Sequence, residues 1–432
     1  MHPFALSRAD DPAQAIAAHA RDAGLAFIAG GTDLIGLIKD RAALPERLLD
    51  INGLPGMARI EPLPRGGLRI GALARMSDVA ADAQVRRDFP VIAEALLAAA
   101  SGQLRNMASM GGNIMQRTRC AYFRDEDELP CNKRRPGSGC AALHGLNRNH
   151  AIFGWSEACV ATHPSDLAVA LAALDAIVIV RGQAGERSIA FGDFHRLPGR
   201  APELDTTLVR GELIVAIEVP ASSEARASHY LKVRDRQSYE FALVSAAAAV
   251  ALDGDRIRSA RLAMGGVAHK PWRLAAAETA LCGISLDDSN GLRSAIAASF
   301  ADARPLARAE HESTGEAAVP GYLERVVHGV RHIISFPDGV VALVRPQGVD
   351  ILELGFARGW VNVKVGGIEK RADWRLIDVR LPLQMYTATR HIANAEERFQ
   401  EYLALHGEVP RPRFRILERL ALRGHRQRET IG

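Results

Sequence analysis

The patterning of apolar residues predicts an α+β protein, and three features carry that expectation. A glycine pair, Gly30-Gly31, separates a strand-like run from a helix-like one; strand and helix alternate again between positions 163 and 219; and two strand-like runs face each other across Asp253-Gly254-Asp255, a hairpin signal. At 432 residues the chain exceeds the usual size of one hydrophobic core, so two or three domains are expected. Its 48% hydrophobic and 24% charged residues are ordinary for globular chains and exclude wholesale disorder. A net charge of +4, from 54 basic and 50 acidic residues, gives no nucleic-acid signature. No apolar run reaches the ~18 residues of a membrane span. Met1 to Asp11 lacks a charged start followed by an apolar run, so neither membrane insertion nor an export signal is expected.

Taken in order, Gly24 to Ala29 reads as a buried strand and Thr32 to Arg41 as a helix, because Leu34, Ile35, Leu37 and Ile38 recur at helical spacing. Short strands follow near Leu48–Ile51 and Leu68–Leu73, then an alanine- and leucine-rich helix from Phe89 to Ala100. His163 to Leu174 reads as a helix, Ala176 to Val180 and Leu213 to Val219 as strands. Leu243–Leu252 and Arg256–Met264 form the hairpin, with a helix from Trp272 to Leu281 to cover it.

Three loops are candidates for binding. Ile28-Ala29-Gly30-Gly31-Thr32-Asp33-Leu34 places glycines between strand and helix, where backbone N–H groups can receive phosphate oxygens. Thr32 as a helix N-cap and Asp33 in the first turn give the same segment a purely structural explanation. Ala108-Ser109-Met110-Gly111-Gly112-Asn113-Ile114 repeats the paired glycines, which suits a dinucleotide with two phosphates or a second unrelated turn. In Thr162-His163-Pro164-Ser165-Asp166 the carboxylate could bond a ribose or ring, or simply favour a helix start. The histidines, His163 and His195 among them, fall singly and read as caps or surface residues rather than general bases.

Cys120, Cys131, Cys140 and Cys159 are separated by 10, 8 and 18 residues in a charged, glycine-rich loop. Four thiolates can hold a [4Fe–4S] cluster or a tetrahedral zinc, and the absence of a short C-x₂₋₄-C knuckle favours iron–sulfur. Isolated buried thiols are the alternative, a reading that suits Cys282 in its apolar helix end.

The three loops in this order resemble the FAD-binding subunits of the xanthine dehydrogenase and carbon monoxide dehydrogenase family, over about residues 1–308. Arg119-Cys120-Ala121-Tyr122-Phe123-Arg124, Pro130-Cys131-Asn132-Lys133 and Pro136 to Leu143 are similar to the cluster loop of periplasmic aldehyde oxidoreductase flavin subunits. The resemblance implies a two-subdomain FAD-binding domain of the vanillyl-alcohol oxidase (PCMH) type over 1–225, with a [4Fe–4S] loop inserted at about 117–160. An α/β CO-dehydrogenase-flavoprotein C-terminal domain would occupy 226–308. It assigns FAD to Ala26, Phe27, Ile28, Ala29, Gly30, Gly31, Thr32, Asp33 and Leu34 and to Ser109, Met110, Gly111, Gly112 and Asn113. Asp166 and Lys232 would touch the cofactor elsewhere; Lys232 otherwise reads as an exposed strand lysine. The four cysteines would hold the cluster, and Arg119, Arg124, Lys133, Arg134 and Arg135 would raise its potential or stand as solvated loop charges.

The implied activity is electron transfer within a molybdenum-dependent aldehyde oxidoreductase, with no substrate chemistry on this chain. The implied partners are a molybdopterin-bearing large subunit and a [2Fe–2S] small subunit in a heterotrimer, located in the cytoplasm or carried to the periplasm by a signal-bearing partner. Rival readings are a stand-alone flavin oxidase, for which the sequence shows no catalytic constellation, and a zinc-stabilised docking subunit. Residues 309–432 share neither composition nor rhythm with the rest, Ala309 to Gly315 standing where the family's terminal helix begins. They read either as a frameshifted or fused end or as a further folding unit with alternating runs such as Val361 to Val365.

Overall fold

The computed structural model describes residues 2–125, 129–236 and 239–306, and the backbone of residues 360–365 and 368–373. Strands Ala5–Arg8, Arg47–Asp50 and Leu25–Ile28 form a parallel sheet with Arg47–Asp50 in the middle. Helix Pro12–Arg21 makes the first crossover, opened by the Asp11 side chain on the Ala13 N–H and by proline at its first position. The next sheet is antiparallel, in the order Ile60–Pro62, Gly67–Gly71, Leu213–Pro220, Ile177–Gly182, Gly185–Ala190. Its central strand, Leu213–Pro220, is buried along nearly its whole length, which is why it reads as an unbroken apolar run.

The third sheet, Trp272–Arg273, Arg256–Gly265, Val244–Asp253 and Ser228–Val233, is antiparallel throughout. The expected hairpin is present, with Gly254 at φ +60° in its turn. Helix Asp166–Ala173 is buried at every position and packs on helix Pro90–Ala98 and on the third sheet. Burial of Leu167, Val169 and Leu171 stabilises by ~1.5–3 kcal/mol each, enough to offset the several kcal/mol lost in carrying the Asp166 carboxylate inside. One continuous core joins the parallel sheet, the five-stranded sheet, these helices and Tyr230, Ala247, Ala249 and Ala263 of the third sheet. Residues on both sides of position 225 therefore share an interior.

Several local expectations are corrected. The helix placed at Thr32 to Arg41 spans only Leu34–Lys39, and the one placed at His163 to Leu174 begins at Asp166, capped by Ser165. The segment Trp272 to Leu281 starts as a strand, pairing Trp272 with Met264, before helix Ala275–Ala280. Cys282 is exposed, not a buried core thiol. In a separate unit, Trp360–Val365 and Ile368–Asp373 pair as an antiparallel hairpin; Ala309 to Gly315 lies outside the described residues.

Candidate functional site

The first glycine loop leaves the end of strand Leu25–Ile28 and enters helix Leu34–Lys39. Gly31 sits at φ +69°, a conformation that bends successive amides toward one side. Among the described residues, the N–H groups of Gly30, Gly31, Thr32 and Asp33 meet no protein acceptor, so four consecutive donors are free for an anion. Thr32 is exposed and is not the helix cap; Asp33 holds that position and makes no capping bond. Ala26, Phe27, Ile28 and Ala29 are half-buried, and Ala29 is fixed by Asn52 Nδ2 donating to its carbonyl at 3.0 Å.

The second glycine loop is itself a short helix, Met110–Ile114. Its amides are engaged: Met110 N–H donates to Ala74 O at 3.0 Å, Gly111 to Ala72 O at 2.8 Å and Gly112 to Ser109 Oγ at 3.2 Å. The two loops touch, since a Cβ on Gly30 would lie 1.9 Å from the Met107 carbonyl oxygen. The third segment joins the second through Ser165 Oγ, which donates to Asn113 Oδ1 at 2.5 Å. Asp166 then accepts from Tyr230 OH at 2.5 Å and from Lys232 Nζ at 2.8 Å, with the Asp166 and Lys232 side chains 5% and 4% exposed. The sequence-nominated residues are thus brought together by contact: first loop to second, second to third, third to Lys232.

Lys232 is a buried ion-pair partner rather than an exposed strand lysine. Tyr230 went unnoticed in the sequence, although positions 230 and 232 of a strand face the same side. Burial, with the Asp166 carboxylate beside it, pushes the Tyr230 phenol well above its ordinary value, so it stays a donor.

The four nominated cysteines also lie together. Cys131 and Cys140 are opposite each other in an antiparallel bridge, the Cys140 and Cys159 thiols influence each other's ionisation, and Cys120 packs with Cys131, Phe123 and Leu37. All four are free thiols. Burial pushes the Cys120 thiol up to about 12, with Cys131 and Cys140 adding to the shift. Interaction with the neighbouring Cys159 thiol lowers Cys140 to about 6, and the same interaction together with burial raises Cys159. Among the described residues no three His, Cys, Asp or Glu side chains converge as ligands of a single metal ion.

The loop's cations are largely paired rather than solvated. Arg119 and Arg124 each donate to Asp33 at 2.9 Å, and Lys133 Nζ, 4% exposed, donates to Asp205 at 2.5 Å and to Pro202 O at 2.7 Å. Arg134 binds the carbonyl oxygens of Asp125, Asp40 and Arg41. Burial lowers Arg119 to about 10, with Asp33 opposing the shift, so the guanidinium keeps its charge at neutral pH. His163 and His195 are not single surface residues: their rings meet at a 50° tilt with centroids 4.2 Å apart, and His195 Nε2 donates to Ile114 O at 2.8 Å. Nothing in the sequence pointed to Asp205 or to this ring pair.

Residues 2–222 match the FAD binding domain in molybdopterin dehydrogenase, and residues 229–314 match the CO dehydrogenase flavoprotein C-terminal domain. The chain belongs to the molybdopterin-dehydrogenase FAD-binding family. It is an FAD-binding oxidoreductase chain of that family. Among family members, it is 51% identical over 308 residues to the aldehyde oxidoreductase FAD-binding subunit PaoB of Escherichia coli, covering 71% of this chain and 92% of that protein. It is 30% identical to the glyceraldehyde dehydrogenase medium chain of Sulfolobus acidocaldarius, covering 60% of this chain and 74% of the relative. The family fold is seen in a reconstituted CO dehydrogenase from Oligotropha carboxidovorans, at a TM-score of 0.54 and 23% identity over 72% of this chain and 94% of that one. No helix among the described residues is long and apolar enough to cross a membrane.

Proposed function

We propose that this chain is the FAD-carrying electron-transfer subunit of a molybdenum-dependent aldehyde oxidoreductase, with a [4Fe–4S] cluster on Cys120, Cys131, Cys140 and Cys159. Its electrons would come from [2Fe–2S] clusters on a small partner subunit, a molybdopterin-bearing large subunit would carry the substrate chemistry, and an external acceptor would take the electrons. The observation that carries this reading is the adjacency of a free amide nest at Gly30 to Asp33 and a quartet of thiols, Cys131 and Cys159 buried and Cys120 and Cys140 half-buried, in a chain 51% identical over 308 residues to an aldehyde oxidoreductase FAD-binding subunit. In this reading a flavin domain spans 1–225, with the cysteine loop inserted at about 117–160, and a C-terminal domain spans 226–308, a division that the family matches over 2–222 and 229–314 support.

The residues fit both groups. Among the described residues four consecutive amides without a protein acceptor, turned by Gly31 at φ +69°, suit a phosphate approached by backbone, while the missing side chain of Gly30 makes room for the Met107 carbonyl. The Met110, Gly111 and Gly112 amides of the second loop are engaged, so the part of its glycines in binding would be shape: exposed Gly112 and the close seat of Met107 on Gly30. The Asp166–Lys232 pair, satisfied by Tyr230, fixes the floor where Ser228–Val233 meets helix Asp166–Ala173. A cubane is gripped through separate irons, so its thiolates need not converge on one point as those of zinc must. When bound, flavin and cluster together permit electrons to arrive singly and leave in pairs, a chemistry that belongs to the cofactors. This chain's residues bind, orient and exclude water.

Anaerobic purification of the full chain, co-expressed with neighbouring subunits, tests the reading by absorption spectroscopy with iron and flavin quantitation. A full [4Fe–4S] complement and one FAD per chain are expected, with the iron lost in Cys131→Ser. Zinc without flavin would sink the redox role; flavin without iron would retain the flavin subunit and remove the cluster.

A further inference from the structure

Asp33 carries the last of the four free amides of the first glycine loop, yet its carboxylate reaches into the cysteine loop. Oδ2 accepts the Arg117 backbone N–H at 3.0 Å, and Oδ1 accepts from the Arg119 and Arg124 guanidinium groups, each at 2.9 Å. All three donors lie within four residues of Cys120. Arg124 also reaches Asp40 Oδ2 at 3.3 Å, at the far end of helix Leu34–Lys39, while Arg134 holds the Asp40 and Arg41 carbonyl groups. Between those ends Leu37 packs on Phe123 and Cys131. The cysteine loop therefore grips this helix at both ends and along one face, and the helix carries the amide nest at its head.

We propose that Asp33 is a positioning residue that locks the cysteine loop to the glycine loop, so that FAD binding and cluster occupancy favour each other. The proposal rests on the reading above that both groups bind this chain. The physical basis is linkage: a cluster fixes Cys120 and with it the three donors, those donors fix Asp33, and a fixed Asp33 keeps the neighbouring amides aimed at phosphate. By reciprocity FAD must then favour the cluster-bound loop by the same factor. Ordinary couplings of this kind change affinity by about fivefold to a hundredfold.

The test is a cycle on the full chain: the FAD dissociation constant, by flavin fluorescence, with the cluster present and after its removal by chelator under oxidant. In the wild type, cluster removal is expected to weaken FAD at least about fivefold. In Asp33→Asn the affinity is already weakened and cluster removal changes it less than about twofold. A merely structural role for Asp33 would lower affinity while leaving the cluster dependence intact, and that result overturns the proposal. So does a wild type whose FAD affinity ignores the cluster. Should Asp33→Asn fail to fold, the paired change Arg119→Gln with Arg124→Gln breaks the same link from the cysteine side, and it too is expected to lose the dependence. A wild type that binds neither iron nor FAD overturns the functional reading, and this proposal with it; a fully loaded one without coupling overturns this proposal alone.

Discussion

The two glycine loops look alike as sequence and differ as physical objects. Gly30-Gly31 stands at a strand end with four amides free, whereas Gly111-Gly112 lies inside a short helix whose N–H groups already bond Ala74 O, Ala72 O and Ser109 Oγ. In the first pair, Gly31 at φ +69° turns the free amides to one side, while the missing Cβ of Gly30 seats the Met107 carbonyl. In the second, Gly111 allows that helix to press against Ala72, where a Cβ would meet the Ala72 methyl at 3.0 Å. Paired glycines therefore mark close approach, and only an account of each amide's partner shows whether ligand or protein does the approaching.

Placing a methyl on each loop breaks the comparison most sharply. In Gly30→Ala the new Cβ would fall 1.9 Å from a carbonyl oxygen and 2.6 Å from its carbon, both backbone, so the loops must part. The expected result is a stability loss of about 3 kcal/mol or more together with an FAD affinity lowered by about two orders of magnitude. Gly111→Ala meets a gentler contact and should cost about 1–3 kcal/mol while leaving FAD affinity within about threefold. Urea unfolding and flavin fluorescence on the two variants measure both quantities; equal loss of FAD in the two would erase the distinction.

Much of the frame that holds these loops was legible beforehand, and what was not has a common cause. Strand Leu213–Pro220 and the hairpin at Gly254 follow from local periodicity and turn chemistry, which are properties of neighbouring residues. The burial of Lys232 depends on Asp166, 66 positions earlier, and that of Lys133 on Asp205, 72 positions later. No window of sequence contains either pair, so lysines read by default as solvated. The same holds for the His163 and His195 rings. Thr32 misled for a different reason: it has capping chemistry, but Gly31 at φ +69° sets the path of the chain past it. The cysteines were found because their type is rare and their chemistry specific, while their mutual contact had to come from the fold.

Acid should act on the second loop more than on the first. Burial lowers His195 from its ordinary 6.5 to about 4, and its Nε2–H holds the Ile114 carbonyl at the end of the second loop's helix. The folded value lies below the unfolded one, so the unfolded chain binds the extra proton. The neutral ring's contribution is therefore complete above pH 6.5 and is lost as pH falls toward 4. At about 1.4 kcal/mol per pKa unit this amounts to roughly 3 kcal/mol. Urea unfolding at pH 7 and pH 4.5 should show a smaller pH-dependent loss in His195→Gln than in the wild type; parallel losses would place the acid sensitivity elsewhere, on His163 or His269, which burial also lowers.

The smallest expected effect is the most informative about which loop meets phosphate. Ser109 caps helix Met110–Ile114 by accepting the Gly112 N–H, and Ser109→Ala should cost about 1 kcal/mol, the ordinary value of such a cap. The substitution also releases that amide. If phosphate sits only in the nest at Gly30 to Asp33, the released donor has nothing to bind and FAD affinity stays within about twofold. If a phosphate also lies against the second loop, the Gly112 N–H becomes available to a charged acceptor, a bond worth about 1.5–3 kcal/mol, and FAD should bind about tenfold more tightly despite the weakened fold. Flavin titration of Ser109→Ala therefore separates a loop that shapes the site from one that donates to the cofactor, because loss of stability and gain of affinity run in opposite directions.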